Sequence, residues 1–174
     1  MRALFPYRGI RPTVHPGAFV APTASVVGDV HIAEGASIWY GTVLRGDVAP
    51  IRIGARSSIQ DNTVVHATGG LSDTTVGEDC TVGHSVILHG CHVGSHVLVG
   101  MGSIVLDNAE IGDWCLIGAG SLVTARTKIP SGVLAHGRPA RPIRELTEDE
   151  RARIREAAEV YVTYAADHAE STRG

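Results

Sequence analysis

The sequence predicts an all-β solenoid, short parallel strands coiled around a thin aliphatic core, followed by one C-terminal helix. Three observations carry this. An aliphatic residue recurs every six positions from Val20 to Ile129, with three local breaks, and all eighteen leads are Val, Ile or Leu. Small residues predominate four positions after a lead, as at Ala24, Ala36, Thr42, Ser57, Cys80, Ser103, Ala109 and Ser121. Composition agrees: 21 glycines and 44% hydrophobic residues but only 5% aromatics suit a core of small and β-branched side chains.

A hexad suits one short strand and one turn. The β-branched lead stacks inward, the small residue sits under a corner, and Gly, Asn or Asp turns the chain. Three hexads close a triangular coil, so the leads predict six coils, roughly 30 Å of prism at a strand spacing of about 4.8 Å. Each coil buries its neighbour's apolar face. Let the faces be a, b and c, with Val20 on a. The leads then run Val20, Val26, Ile32, Ile38, Leu44; Ile53, Ile59, Val65; Val76, Val82, Leu88; and Val93 through Val99, Val105, Ile111, Ile117 and Val123 to Ile129.

The period breaks three times: nine residues from Leu44 to Ile53, eleven from Val65 to Val76, five from Leu88 to Val93. All three breaks fall at the passage from face b to face c. Loops at Gly46–Arg52 and Ala67–Thr75 are therefore expected to form a lip beside face b, where a solenoid binds something.

Arg45, His66 and His89 each follow a face-b lead by one position. Strand alternation turns them outward in one column, with His66 and His89 about 4.8 Å apart at the backbone, close enough to share a metal ion. His84 lies two positions after a face-a lead, above Asp61, and points out across a convex corner. It cannot reach the ion held by its own chain's His66 and His89, but it can reach a neighbour's. Repeated by three-fold rotation, that contact makes a homotrimer with three equivalent sites. His15, His31, His92, His96, His136 and His168 read as surface residues.

The order Arg45-Gly46-Asp47, then Gln60-Asp61-Asn62, His66 and GHSVILHG resembles the γ-class carbonic anhydrase family over most of the chain. The resemblance implies a left-handed parallel β-helix, a hand that general crossover rules would not favour. It implies metal ligands at His66, His84 and His89, the middle one from the adjacent subunit. Gln60 would act on the metal-bound water, Asp61 at the site, and Arg45 with Asp47 as a cross-subunit ion pair. The activity implied is a lyase reaction, reversible hydration of carbon dioxide to bicarbonate. Zinc is the default for nitrogen ligands, and Fe(II) or Co(II) fits the same set. Highly active relatives carry acidic residues after the Arg-Gly-Asp and in an inserted loop. Here Val48 follows Asp47 and the loop offers only Asp73, which predicts slow turnover. Two alternatives stand beside this: a thioesterase or acyltransferase acting on CoA esters, and a non-catalytic trimeric metal-binding scaffold.

Residues 1–136 are read as the metal-binding β-helix and 137–146 as a connecting segment whose prolines end the coil. Residues 147–170 form a helix packed on the prism, with Thr147 as N-cap and Glu150 completing a capping box. Ile154, Ala157, Ala158, Tyr161, Tyr164, Ala165 and His168 mark its packed face at helical spacing. In the family a helix tyrosine approaches the metal, which points to Tyr161 or Tyr164.

The net charge of −3 leaves no basic footprint for nucleic acid or anionic membrane. No segment is apolar enough for a membrane span or a signal peptide. Cys80, Cys91 and Cys115 are odd in number and lack metal spacing, so free thiols in the cytoplasm are expected.

Overall fold

The structure is a computed structural model that describes residues 3–172; the first two residues of the 1–136 span lie outside them. It is a left-handed parallel β-helix closed by one helix. Every lead except Val20 is at most 3% exposed. The leads pair in three parallel columns. On face a, Val20, Ile38, Ile59, Val82, Val99, Ile117 and Ala135 stack in register. Face b stacks Leu4, Val26, Leu44, Val65, Leu88, Val105 and Val123. Face c stacks Val14, Ile32, Ile53, Val76, Val93, Ile111 and Ile129. Each column thus has seven rungs, not the six counted from the repeat. The extra rungs lie at the ends: Val14 and Ala135 continue the six-residue spacing beyond Val20 and Ile129, Ala135 with only a methyl side chain, while Leu4 stands ten residues before Val14.

The small corner residues are closed off, and the polar ones donate to the carbonyl of a neighbouring coil: Thr42 Oγ1 to Gln60 O at 2.8 Å, Ser57 Oγ to Gly77 O at 2.7 Å, Cys80 Sγ to Gly94 O at 3.0 Å. These bonds supply acceptor partners at the corners, where the strand ladder is interrupted. The third position after most leads takes a positive φ, even where the side chain is large, as at Arg56 (57°), His96 (56°) and Trp114 (56°).

The expected loop Gly46–Arg52 is instead part of one continuous strand, Val43–Ile53, paired with Ser25–Ile32. Gly28 still pairs with Gly46 and Val30 with Ile51, so one residue, Asp29, faces four, Asp47 to Pro50. The extra residues are absorbed as a bulge, which keeps the ladder and throws Asp47 outward. The second insertion is a true turn segment before the strand Thr74–Val76. The connecting segment is also strand: Ala140–Glu145 folds back antiparallel on Val133–Gly137. Its prolines occupy the end of the sheet, where missing N–H donors are tolerated.

The helix, Glu148–Ser171, starts at the expected cap, with Thr147 and Glu150 reciprocally bonded. It lies along face a, against Phe19–Val20, Ser37–Ile38, Ser58–Ile59 and Thr81–Val82. Ile154, Ala158 and Ala165 are buried there. His168 is no surface residue: its Nδ1 meets Tyr40 Oη at 2.9 Å and its ring stands edge-on to Trp39. His96 is likewise stacked on Trp114, centroids 4.2 Å apart and 16° from parallel.

The three faces now differ in kind. Face a is under the helix. Face c presents polar residues outward, among them Arg52, Thr75, His92, Glu110 and Lys128. Face b presents Val43, Val64, Ile87, Ile104 and Leu122 in one outward row.

Candidate metal centre

His66 and His89 are direct register partners on face b. Their rings meet edge to face with centroids 5.3 Å apart, and His66 Nδ1 stands 3.3 Å from His89 Nε2. A carboxylate only accepts hydrogen bonds, so the nitrogen facing it carries the proton. His66 Nε2 faces Asp47 Oδ1 at 3.0 Å, and His89 Nδ1 faces Asp107 at 3.2 Å from Oδ2 and 3.3 Å from Oδ1. The two nitrogens turned toward each other are therefore both lone-pair nitrogens. Metal-bound histidines ordinarily give their far N–H to a carboxylate or carbonyl in this way.

The donor set passes a simple fit test. Nitrogens bound tetrahedrally at about 2.0–2.1 Å from one zinc ion stand about 3.3 Å apart, which is the separation found here. In the chain a cation already faces this lone pair: Arg45 Nη2 lies 3.3 Å from His66 Nδ1, while Nη1 donates to Asp47 Oδ2 at 2.7 Å. The Arg45–Asp47 pair, read from the resemblance as crossing between subunits, is made within one chain. Burial pushes the Asp47 carboxyl up, but hydrogen bonds from Arg45 and His66 outweigh it and hold it below the ordinary carboxylate range.

His84 sits one coil above Asp61, its Nδ1 2.9 Å from Asp61 Oδ2, and its side chain is 44% exposed at the a/b corner. Its Nε2 is thus the free nitrogen. Among the described residues, no three His, Cys, Asp or Glu side chains of one chain are grouped to hold a metal ion. His66 and His89 are brought together, and His84 is presented outward with the same kind of carboxylate behind it.

Gln60 is 4% exposed, under the helix, with its side chain near the Tyr161 phenol. Burial, then the nearby charge of Asp61, pushes the Tyr161 phenol up. Tyr164 is exposed, its ring edge-on to that of Tyr161 with centroids 5.8 Å apart. Val48 is half-exposed on the bulge beside Asp47, and Asp73 lies 3.8 Å from His92 on face c. Sequence reasoning missed Asp107. It lies two positions after a face-b lead, one coil beyond His89, outside the motif in sequence but next to it in space.

Comparison with known proteins gives the family. The chain is 46% identical over 163 residues to γ carbonic anhydrase 1, mitochondrial, of Arabidopsis thaliana, although it spans only 59% of that relative's length. It is 48% identical over 147 residues to a carbonic anhydrase of Geobacillus kaustophilus, covering 84% of this chain and 80% of the relative. The chain belongs to the γ-class carbonic anhydrase family. Its γ-class fold superimposes with a TM-score of 0.91 on a hexapeptide transferase family protein from Anaplasma phagocytophilum, at 47% identity, covering 95% of this chain and 97% of the other. Residues 48–155 also match the family model of the GMPPB C-terminal domain.

Proposed function

We propose that this γ-class chain hydrates carbon dioxide reversibly at a divalent metal held between subunits of a homotrimer. His66 and His89 of one subunit and His84 of the next would hold the ion. The observation that carries this reading is the 3.3 Å approach of two lone-pair nitrogens, each backed by its own carboxylate. Three neutral ligands leave the ion's charge uncompensated, and such an ion brings the ionisation of water near neutral pH. Zinc suits the nitrogen set, and Fe(II) or Co(II) fits it as well.

The chain's own residues set the rest. Asp47, Asp61 and Asp107 hold the far N–H of the three imidazoles and so keep the near nitrogens free. We assign the Gln60 amide, buried beside Tyr161, to the water and bicarbonate side of the site. Val48, not a carboxylate, follows Asp47 on the exposed bulge, and we assign proton release to this stretch. Turnover is accordingly slow without a buffer to carry protons.

Face b supports the trimer. Val64 and Ile87 are 39% and 38% exposed in an otherwise aliphatic outward row, and such a row beside a binding column marks a protein contact. Because the helix covers face a, the partner surface is the a/b corner carrying Asp61, His84 and Met101, rather than face a itself. Among the described residues, no helix is long and apolar enough to cross a membrane. The free, buried Cys80, Cys91 and Cys115 support a reducing compartment, the cytoplasm.

The transferase name of the Anaplasma protein favours a second reading, acyl transfer or hydrolysis of CoA esters. The test is carbon dioxide hydration and acyl-CoA hydrolysis by metal-loaded protein, each with and without imidazole. Hydration is expected, raised by imidazole and lost in His66→Ala. Acyl-CoA turnover without hydration would replace this reading by the second. Val48→Glu should raise buffer-independent hydration; an unchanged rate would show that proton export does not limit it.

A further inference from the structure

Asp107 belongs to none of the recognised motif, yet its carboxylate sits at the junction of the site and the lip. Its Oδ2 lies 3.2 Å from His89 Nδ1, and its Oδ1 accepts from Ser72 Oγ at 2.6 Å. Ser72 in turn takes the Thr68 N–H at 3.2 Å, closing the inserted segment on itself. The shortened hexad after Leu88 makes the room. Gly90 has a φ of +63°, and a Cβ there would collide with Ser72 Oγ and Asp107 Oδ1. A carboxylate on this side of the ring leaves one arrangement for a neutral imidazole, Nδ1 protonated and Nε2 bare.

We propose that Asp107 is the positioning residue of His89, fixing its tautomer and ring orientation so that Nε2 faces His66 Nδ1. The inference rests on the metal reading above and adds a residue to it. A purely structural role, anchoring the lip through Ser72, would make Asp107→Ala and Ser72→Ala behave alike. Positioning separates them.

The first readout needs no metal. In metal-free protein with 15N-labelled histidine, long-range proton–nitrogen NMR should show His89 as the Nδ1–H tautomer in the wild type and in Ser72→Ala. In folded Asp107→Ala it should shift toward Nε2–H. The isosteric Asp107→Asn keeps an acceptor oxygen and should retain the wild-type tautomer, and it serves if the alanine variant does not fold. The second readout is zinc affinity by competition with a chromophoric chelator. Asp107→Ala should lose about 10–100-fold, Asp107→Asn less, and Ser72→Ala under about threefold, the range expected when a ligand's outer partner is removed. An unchanged His89 tautomer in folded Asp107→Ala, or equal losses in Ser72→Ala and Asp107→Ala, overturns the proposal. Zinc uptake by the wild type no greater than by His66→Ala overturns the metal reading instead, and the NMR result then decides the role of Asp107 alone.

Discussion

At the scale of single residues, Glu150 shows how a surface carboxylate acquires a pH-dependent role. Hydrogen bonds first from Arg144, then from the Thr147 backbone, draw its pKa from 4.5 down to about 2. A carboxylate with a depressed folded-state pKa stabilises above its unfolded value and loses that contribution as pH falls through the folded one. Urea midpoints of the wild type should therefore exceed those of Glu150→Gln above pH 4.5. The two should converge toward pH 2. A constant gap down to that pH would mean that the capping geometry, not the charge, matters. The cysteines behave oppositely: burial pushes Cys80 and Cys91 up to about 12, so neither serves as a nucleophile. That His66 and His89 share a column, and that His84 stands over Asp61, was legible in the sequence because the hexad dictates which side chains stack. Asp107, His96 and His168 were not. Their partners, His89, Trp114 and Tyr40, come from other coils or faces, and no local pattern announces such a meeting.

At the scale of elements, the aliphatic leads spelled out the prism, and the N-cap spelled out the start of the helix. Two segments are more regular than their local sequence suggests, and for one cause. Gly46–Arg52 and 137–146 contain Gly and Pro, which favour a loop on local grounds, but each finds a neighbouring strand whose backbone groups need partners. Tertiary pairing wins over local preference. The helix buries Ile154, Ala158 and Ala165, of which Ile154, 1% exposed, is the largest. Ile154→Ala should cost about 2–4 kcal/mol, the usual penalty for emptying a buried aliphatic site. Denaturant unfolding measures this. A loss under about 1 kcal/mol, as surface changes give, would mean that the helix does not depend on face a at that point.

At the scale of the whole molecule, three faces of one repeat have been given three environments: a helix, solvent and, on this account, another copy of the chain. The assignment of face b follows from its outward row. Ile87→Asp places a charge in the middle of that row and should convert the trimer to monomers by sedimentation or light scattering. It should also strip the metal if, as proposed, His84 comes from a neighbour. A metal-replete monomer would place the whole site within one chain. The most direct measurement is metal content after subunit exchange. His84→Ala and His89→Ala trimers should each be metal-poor, because each variant lacks one ligand at every site. Dissociated, mixed and reassembled, they should regain metal in those interfaces that pair the intact His66 and His89 of one chain with the intact His84 of the other. Demonstrated exchange with no recovery of metal would contradict a site shared between subunits.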